Sequence, residues 1–311
     1  MVGVRLNDVD GLPARSLPAA VWRAVRTDRW ALAGAVTITV LGLVAVAAPL
    51  LTAIEGQDPY AYNNGALDPA TGLPAGALGG VSGAHWFGVE PLTGRDLFAI
   101  VAYGARTSFL IGLAATALAV LIGVLIGASA GYLGGWWDRV VRWTSDVIFG
   151  FPYLVFMIAL GAVAPPSIPR PLLLIVVLGF FGWPKVARIV RAQTLTLKKR
   201  GFVAAARAMG AGPWHVFTTE LLPNLWAPII VVATLSIPER IGLESALSFL
   251  GVGIPPPTPS WGRSISDAVA WVQTDPMFLI VPGIALFLAT CAFNLLGDGL
   301  ADALDPKSAR R

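Results

Sequence analysis

Hydrophobic positions in this chain come in long unbroken blocks, not in the short periodic stretches of a water-soluble core. Charge-free windows run Trp30–Ile54, Thr107–Trp137, Val147–Pro169 and Pro276–Gly297. Each is long enough for the about 20 residues that an α-helix needs to cross a bilayer. Another block, Leu221–Pro238, continues past a charged patch to Gly253, and a shorter one fills Pro171–Pro184. Lys185, Arg188 and Arg191 follow the short block and extend it by snorkelling their charges to the interface. The pattern predicts an all-α integral membrane protein with six transmembrane helices, at about 30–54, 107–131, 144–164, 171–193, 223–250 and 276–297. Residues 1–29 and 301–311 become tails, and 107–300 the membrane core. The Gly/Pro-rich stretch 55–106 lacks the apolar periodicity of a second core and reads as an external loop with, at most, short elements.

Composition agrees. Of 311 residues, 56% are hydrophobic and 13% charged, against roughly 45–50% and about 25% in soluble domains. The first apolar block exceeds the 7–15 residues of a signal-peptide core and follows a long tail, so it reads as an uncleaved anchor. The basic excess, 22 Lys+Arg against 18 Asp+Glu, is explained by sidedness, not by nucleic acid. Six crossings put Arg5, Arg15, Arg23, Arg26 and Arg29, the pair Arg139 and Arg142, the run Lys185–Arg207, and Lys307, Arg310 and Arg311 on one side. Only Arg95, Arg106, Arg170 and Arg263 fall on the other. Basic residues favour the cytoplasm, so both termini are expected there. One cysteine, Cys291, and two histidines, His85 and His215, leave no disulfide framework and no histidine-rich metal site.

Between the fourth and fifth blocks lies "KKRGFVAAARAMGAGPWHVFTTELLPN", Lys198–Asn224. At helical spacing Phe202, Ala205, Ala206 and Met209 share a face. "GAGP" breaks the helix, and Pro213 suits the first turn of another, whose stripe is Trp214, Phe217 and Leu221. "LPN" then turns the chain into the fifth span. Two short helices with a sharp bend are expected on the cytoplasmic face. Three uses fit such an insert: an amphipathic helix resting on headgroups, a helix-turn-helix for DNA, or a docking element for a cytoplasmic partner. The closeness of the flanking spans leaves no free DNA-binding module.

These residues carry a resemblance. "FVAAARAMGAGPWHVFTTELLPN" resembles the coupling-helix motif of ABC importer membrane subunits, matching at Ala205, Ala206, Gly210 and Leu222-Pro223, with Ala204 where the family usually has Glu. "FGVEPLTGRDLFAIVAYGARTSFLIG" (Phe87–Gly112), "ESALSFLGVGIPPPTPSWG" (Glu244–Gly262) and "NLLGDGLADALDP" (Asn294–Pro306) are similar to the dipeptide/oligopeptide/nickel branch and to its C-type subunit. Phe87-Gly88-Val89-Glu90 departs from the branch's usual Phe-Gly-Thr-Asp opening. The resemblance implies a type I ABC importer permease in a bacterial plasma membrane, carrying di- or oligopeptides, nickel or another small solute. It further implies a homologous B-type permease, two cytoplasmic ATPases that dock on Phe202, Ala205, Ala206, Arg207, Met209, Gly210, Trp214 and Phe217, and an external substrate-binding protein.

Chemistry of its own is not evident in the sequence. No G-x-x-x-x-G-K-[ST] loop occurs, so ATP and Mg are expected on partner subunits. "GVSG" (Gly80–Gly83) with His85 superficially resembles a protease site but reads as a turn, and the chain is not expected to be an enzyme. A stand-alone secondary carrier would carry internal repeats and its own coupling-ion residues, which are not evident. Within the fifth span, "IPERIGLESALSFLG" sets Glu239, Arg240 and Glu244 in apolar surroundings, where each charge costs about 2.5–3.5 kcal/mol at the bilayer centre. Arg240 and Glu244 are four apart and are placed to pair. They either lock helices together or line a path or gate, with Pro238 loosening the helix.

Overall fold

The structure is a computed structural model that describes Trp22, Arg26 and residues 28–165 and 167–304. Most of the N-terminal tail and the basic residues after 304, both part of the sidedness argument, lie outside the described residues. Among those described, five helices are long and apolar enough to cross a membrane, and a bent pair makes up to six.

Helix α1 (Arg29–Glu55) starts where Asp28 accepts a hydrogen bond from Trp30 N at 2.8 Å and stops at Gly56, whose φ of 84° is left-handed. Helix α2 (Leu97–Leu133) is 37 residues long, about 55 Å at 1.5 Å per residue, and so outreaches the hydrocarbon core of about 30 Å. It begins at Leu97, within the expected external loop. Asp96 caps it by accepting from Ala99 N at 2.8 Å, and Arg106 does not interrupt the helical ladder. Charge-free windows find apolar surface, whereas caps set helix ends.

The third span departs most from expectation. Helix α3 (Gly135–Gly150) and helix α4 (Tyr153–Val163) meet at a 72° bend. Pro152 has no N–H to continue the ladder, and Phe151 before it is extended, at φ −82° and ψ 130°. Helix α5 (Arg170–Leu197) then runs parallel to α2, because Gly123 abuts Val186, Gly127 abuts Ala187 and Gly131 abuts Thr194. Two parallel neighbours require the chain between them to return once, so α3 and α4 together make a single crossing. The small residues Ala119, Gly123, Gly127 and Gly131, spaced by four, let these backbones approach closely. A methyl at Gly127 would meet the backbone of Ala187.

Helix α6 (Gly201–Ala208) leads to helix α7, continuous from Pro213 to Phe249. The expected turn at "LPN" is absent. Because Pro223 cannot donate, the ladder widens to a π-helix over Val216–Leu221 and tightens to a 3-10 turn over Leu222–Leu225 without ending. After a short helix α8 (Trp261–Ala268), helix α9 (Met277–Leu304) crosses back. Gly299 packs on Ala31 and Asp28, so the described chain begins and ends at one end of the bundle, beside the end from which α6 projects.

At the opposite end, residues 56–96 fold without strands or long helices, save the turn Asn64–Ala66 and isolated bridges Leu67–Pro74 and Val89–Asp96. Polar side chains tie this segment down. Arg95 donates to Pro59 O at 2.9 Å and to Pro257 O at 3.0 Å. Gly94, at φ 65°, lies against the Asn63 backbone and has no room for a side chain. Trp261 is fully buried where α8 closes on α2, its Nε1 donating to Val101 O at 3.0 Å.

Candidate functional site

The first candidate is the hairpin of α6 and the start of α7. Its interior is Val203, Ala206, Val216 and Leu221, backed by Tyr132 and Leu197. Gly210 takes φ 89° to reverse the chain, and Ala211 N donates to Ala206 O at 3.0 Å, a left-handed helix stop. Ala206 therefore faces inward and holds the hairpin together, apart from the exposed Phe202, Ala205 and Met209 with which helical spacing grouped it. The outward surface carries Phe202, Ala205, Arg207, Met209 and Trp214, with Met209 82% and Trp214 75% exposed. Exposed Met and Trp at the tip of a projecting hairpin mark a contact surface, for a protein or for the membrane interface.

Phe217 is half-buried and links this tip to the bundle, stacked 6.0 Å from Trp214 and tilted against Tyr132 at 5.5 Å. Tyr132 Oη donates to Pro213 O at 2.8 Å, and Lys198 Nζ donates to Tyr132 O at 2.6 Å. The C-terminal end of α2 is thereby fastened to the hairpin. Tyr132 was not singled out from sequence, because only the fold brings it within reach of Pro213. An apolar cavity of about 280 Å³ beside it is lined by Ser129, Leu133, Pro213 and Trp214.

The second candidate is the charged stretch of α7, some 40 Å along the same helix at 1.5 Å per residue. Arg240 and Glu244 do not pair. The Arg240 side chain folds back toward its own N-terminal turn, as long helical side chains do, and Nη1 donates to Ser236 O at 3.1 Å. Its guanidinium lies on Gly182 of α5, and its buried Nε has no partner among the described residues. Glu239 instead accepts from Lys185 Nζ at 2.6 Å, both side chains being about half exposed. These three charges border a cavity of about 190 Å³, completed by Tyr153, Phe149, Phe181 and Leu243. Phe149 and Tyr153 come from the two sides of the α3–α4 bend.

Glu244 lies elsewhere, with no exposure, inside a cluster of hydroxyls. Ser248 and Ser260 donate to Oε1 at 2.8 Å each, and Ser108 donates to Oε2 at 2.8 Å. Ser248 Oγ also accepts from Ile254 N at 3.0 Å. The carboxylate thus joins α2, α7 and the loop before α8. Ser248 was visible from sequence as the residue four after Glu244, but Ser108 and Ser260 come from distant elements. Pro238 is buried within a helix that stays continuous around it.

The basic residues following the fourth apolar block also find partners. Arg188 donates to Asp146 at 2.8 Å, and Arg191 grips Asp138 with two donors. In the external segment, the His85 ring bonds Asp96 at 2.9 Å while its backbone N donates to Ser82 Oγ. The serine hydroxyl is thus occupied by backbone, as a turn requires, and does not bond the imidazole.

Comparison with known proteins agrees with this architecture. The family described as "Binding-protein-dependent transport system inner membrane component" matches residues 123–310. "N-terminal TM domain of oligopeptide transport permease C" matches residues 16–72. The "Dipeptide transport system permease protein DppC" of Alkalihalophilus pseudofirmus is 36% identical over 286 residues, covering 92% of this chain and 88% of its own. The "Glutathione transport system permease protein GsiD" of Escherichia coli is 38% identical over 286 residues, covering 92% and 89%.

Proposed function

From a chain that belongs to the binding-protein-dependent inner membrane components, and so is a permease of an ABC importer, we propose one half of a path for di- or oligopeptides. The names of the relatives, one for dipeptide and one for glutathione, support cargo of this kind. A homologous B-type permease supplies the other half. Two ATPases on the cytoplasmic side hold the ATP and Mg, and an external binding protein delivers cargo to residues 55–106 and to the loop 254–275. The basic residues at the hairpin end support a cytoplasmic position for both termini.

The observation that carries the reading is continuity. Exposed Phe202, Met209 and Trp214 sit on a hairpin whose second arm is the same helix that carries Pro238, Glu239 and Arg240. A push from the ATPases on Phe202, Ala205, Arg207, Met209, Gly210, Trp214 and Phe217 is transmitted along α7, with Ala206 holding the lever rigid. Glu239 and Arg240 line the path, Pro238 gives the helix its freedom to flex, and Glu244 keeps the moving helix attached to α2. Tyr132 passes the same motion to α2.

Cysteine placed at Ala205 or Met209 in the assembled complex tests this. Crosslinks to the ATPase whose yield changes between ATP-bound and ATP-free states are expected. Crosslinks that never reach a nucleotide-hydrolysing subunit, or peptide accumulation that continues without ATP, would overturn it. A lone secondary carrier would come out of detergent without ATPases.

A further inference from the structure

We infer that Lys185, Glu239 and Arg240 form a transient binding site for a zwitterion, reading the free ammonium and free carboxylate of the cargo as it passes. The inference deepens the proposed import function and rests on it. Its ground is the mismatch of partners at the cavity. Arg240 is 3% exposed, yet among the described residues its one hydrogen bond is to Ser236 O, and the buried Nε faces no acceptor there. A guanidinium placed this way is an unfilled anion site, and a carboxylate is the group whose two oxygens fit it.

The acid that could have filled it is turned away. Glu239 accepts from Lys185 at 2.6 Å, although it neighbours Arg240 in sequence. Glu244, one turn further on, is held by Ser108, Ser248 and Ser260. The Lys185–Glu239 pair is half exposed at the cavity edge, and an ion pair cannot face lipid within the membrane without a large cost. It therefore opens on water or on a second protein. An entering ammonium replaces Lys185 at Glu239, and the released Lys185 joins Arg240 in holding the carboxylate. Both ends of a zwitterion then have a partner of opposite charge, with Lys185 and Arg240 sharing the one carboxylate.

Size and lining set the class of cargo. The cavity of about 190 Å³ is below the roughly 300–1,000 Å³ of sites that enclose a drug-sized ligand. It accommodates a small zwitterion or the two ends of a short peptide, not a long chain. Phe149, Tyr153 and Phe181 line the same cavity and offer apolar surface to a small side chain. Gly182 fixes the guanidinium, since a methyl there would occupy the space of Arg240 Nη2.

The test uses the assembled permease–ATPase complex in nanodiscs without its binding protein, so that only the membrane site is read. Tritiated dialanine, its N-acetyl form and its C-terminal amide are bound by equilibrium dialysis. The unmodified complex should bind dialanine saturably, with each blocked form at least about tenfold weaker, the loss of one charge-assisted bond. Glu239→Gln should weaken dialanine by a similar factor and leave the N-acetyl form unchanged. Arg240→Gln should do the same for the free acid and leave the amide unchanged. Should Arg240→Gln not assemble, Gly182→Ala displaces the guanidinium without removing its charge and carries the same expectation. The inference is overturned if dialanine does not bind saturably, or if the substitutions weaken blocked and free forms alike in intact complexes. In the latter case the charges serve only as a contact with the second permease. ATP-driven import of dialanine with the binding protein present is measured separately. Import without the membrane site would leave the proposed function standing and remove this inference, and binding without import would do the reverse.

Discussion

Replacing Glu244 by Ala gives the sharpest measure of what holds the fifth span. The carboxylate receives three hydroxyl bonds of 2.8 Å from Ser108, Ser248 and Ser260, all with no exposure. Ser245 contributes a longer contact of 3.4 Å. Truncation strands those three donors in a site that water does not reach. A buried donor left unmade costs about 1–3 kcal/mol, so the bracket is roughly 3–9 kcal/mol. Relief of the carboxylate's own burial places the loss in the lower half. Ser248 and Ile254 then lose their shared anchor, and the loop before α8 should loosen with them. Fluorescence-detected size-exclusion of the complex after stepwise heating reads this directly: Glu244→Ala should lower the midpoint by several degrees and reduce assembled yield. Glu244→Gln, which keeps the shape and one acceptor oxygen, should lose about a third as much by the same count of donors. A Glu244→Ala complex with the original midpoint and yield but no transport would refute the reasoning and return Glu244 to the path.

Met209→Asp and Trp214→Ala should leave the permease pair assembled, since both side chains are exposed, while abolishing the rise in ATP hydrolysis that cargo-loaded binding protein produces. Gly127→Leu should prevent accumulation of folded protein, because the added side chain meets the Ala187 backbone. Overpacking of this kind costs about 1–3 kcal/mol or more, and yield on size-exclusion is the measurement. In the external segment, burial raises the pKa of Glu90 above the ordinary carboxylate value, partly offset by the Thr93 hydroxyl and by Arg95. The folded segment therefore binds a proton more tightly than the unfolded one. Its stability is greatest below the normal carboxylate range and declines as pH rises through the raised pKa. Hydrogen exchange of residues 88–96 should show this slope, and Glu90→Gln should flatten it. Tyr132→Phe removes the bond to Pro213 O and should weaken coupling between ATP hydrolysis and transport more than either activity's assembly.

Sequence alone determined the solvent of this protein and its gross plan. A chain with long charge-free blocks cannot hide them from water, so membrane crossings and their approximate places follow from hydropathy. The hairpin between α5 and α7 was equally readable, because Gly210 and Pro213 impose local backbone geometry that no distant contact must supply. Glu239, Arg240 and Glu244 stood out as charges in apolar surroundings, but their partners did not. Helical spacing offered Arg240 to Glu244, and the fold instead gave Glu244 three serines, gave Glu239 a lysine from α5, and left Arg240 with Ser236 O. Partner choice for a buried charge depends on which helices lie alongside, and that is a property of packing. Likewise Pro152 and Pro223 look alike as helix breakers along the chain. One bends the third span by 72° and the other is absorbed by a π segment, because the neighbours of each helix decide whether the freed backbone can be accommodated.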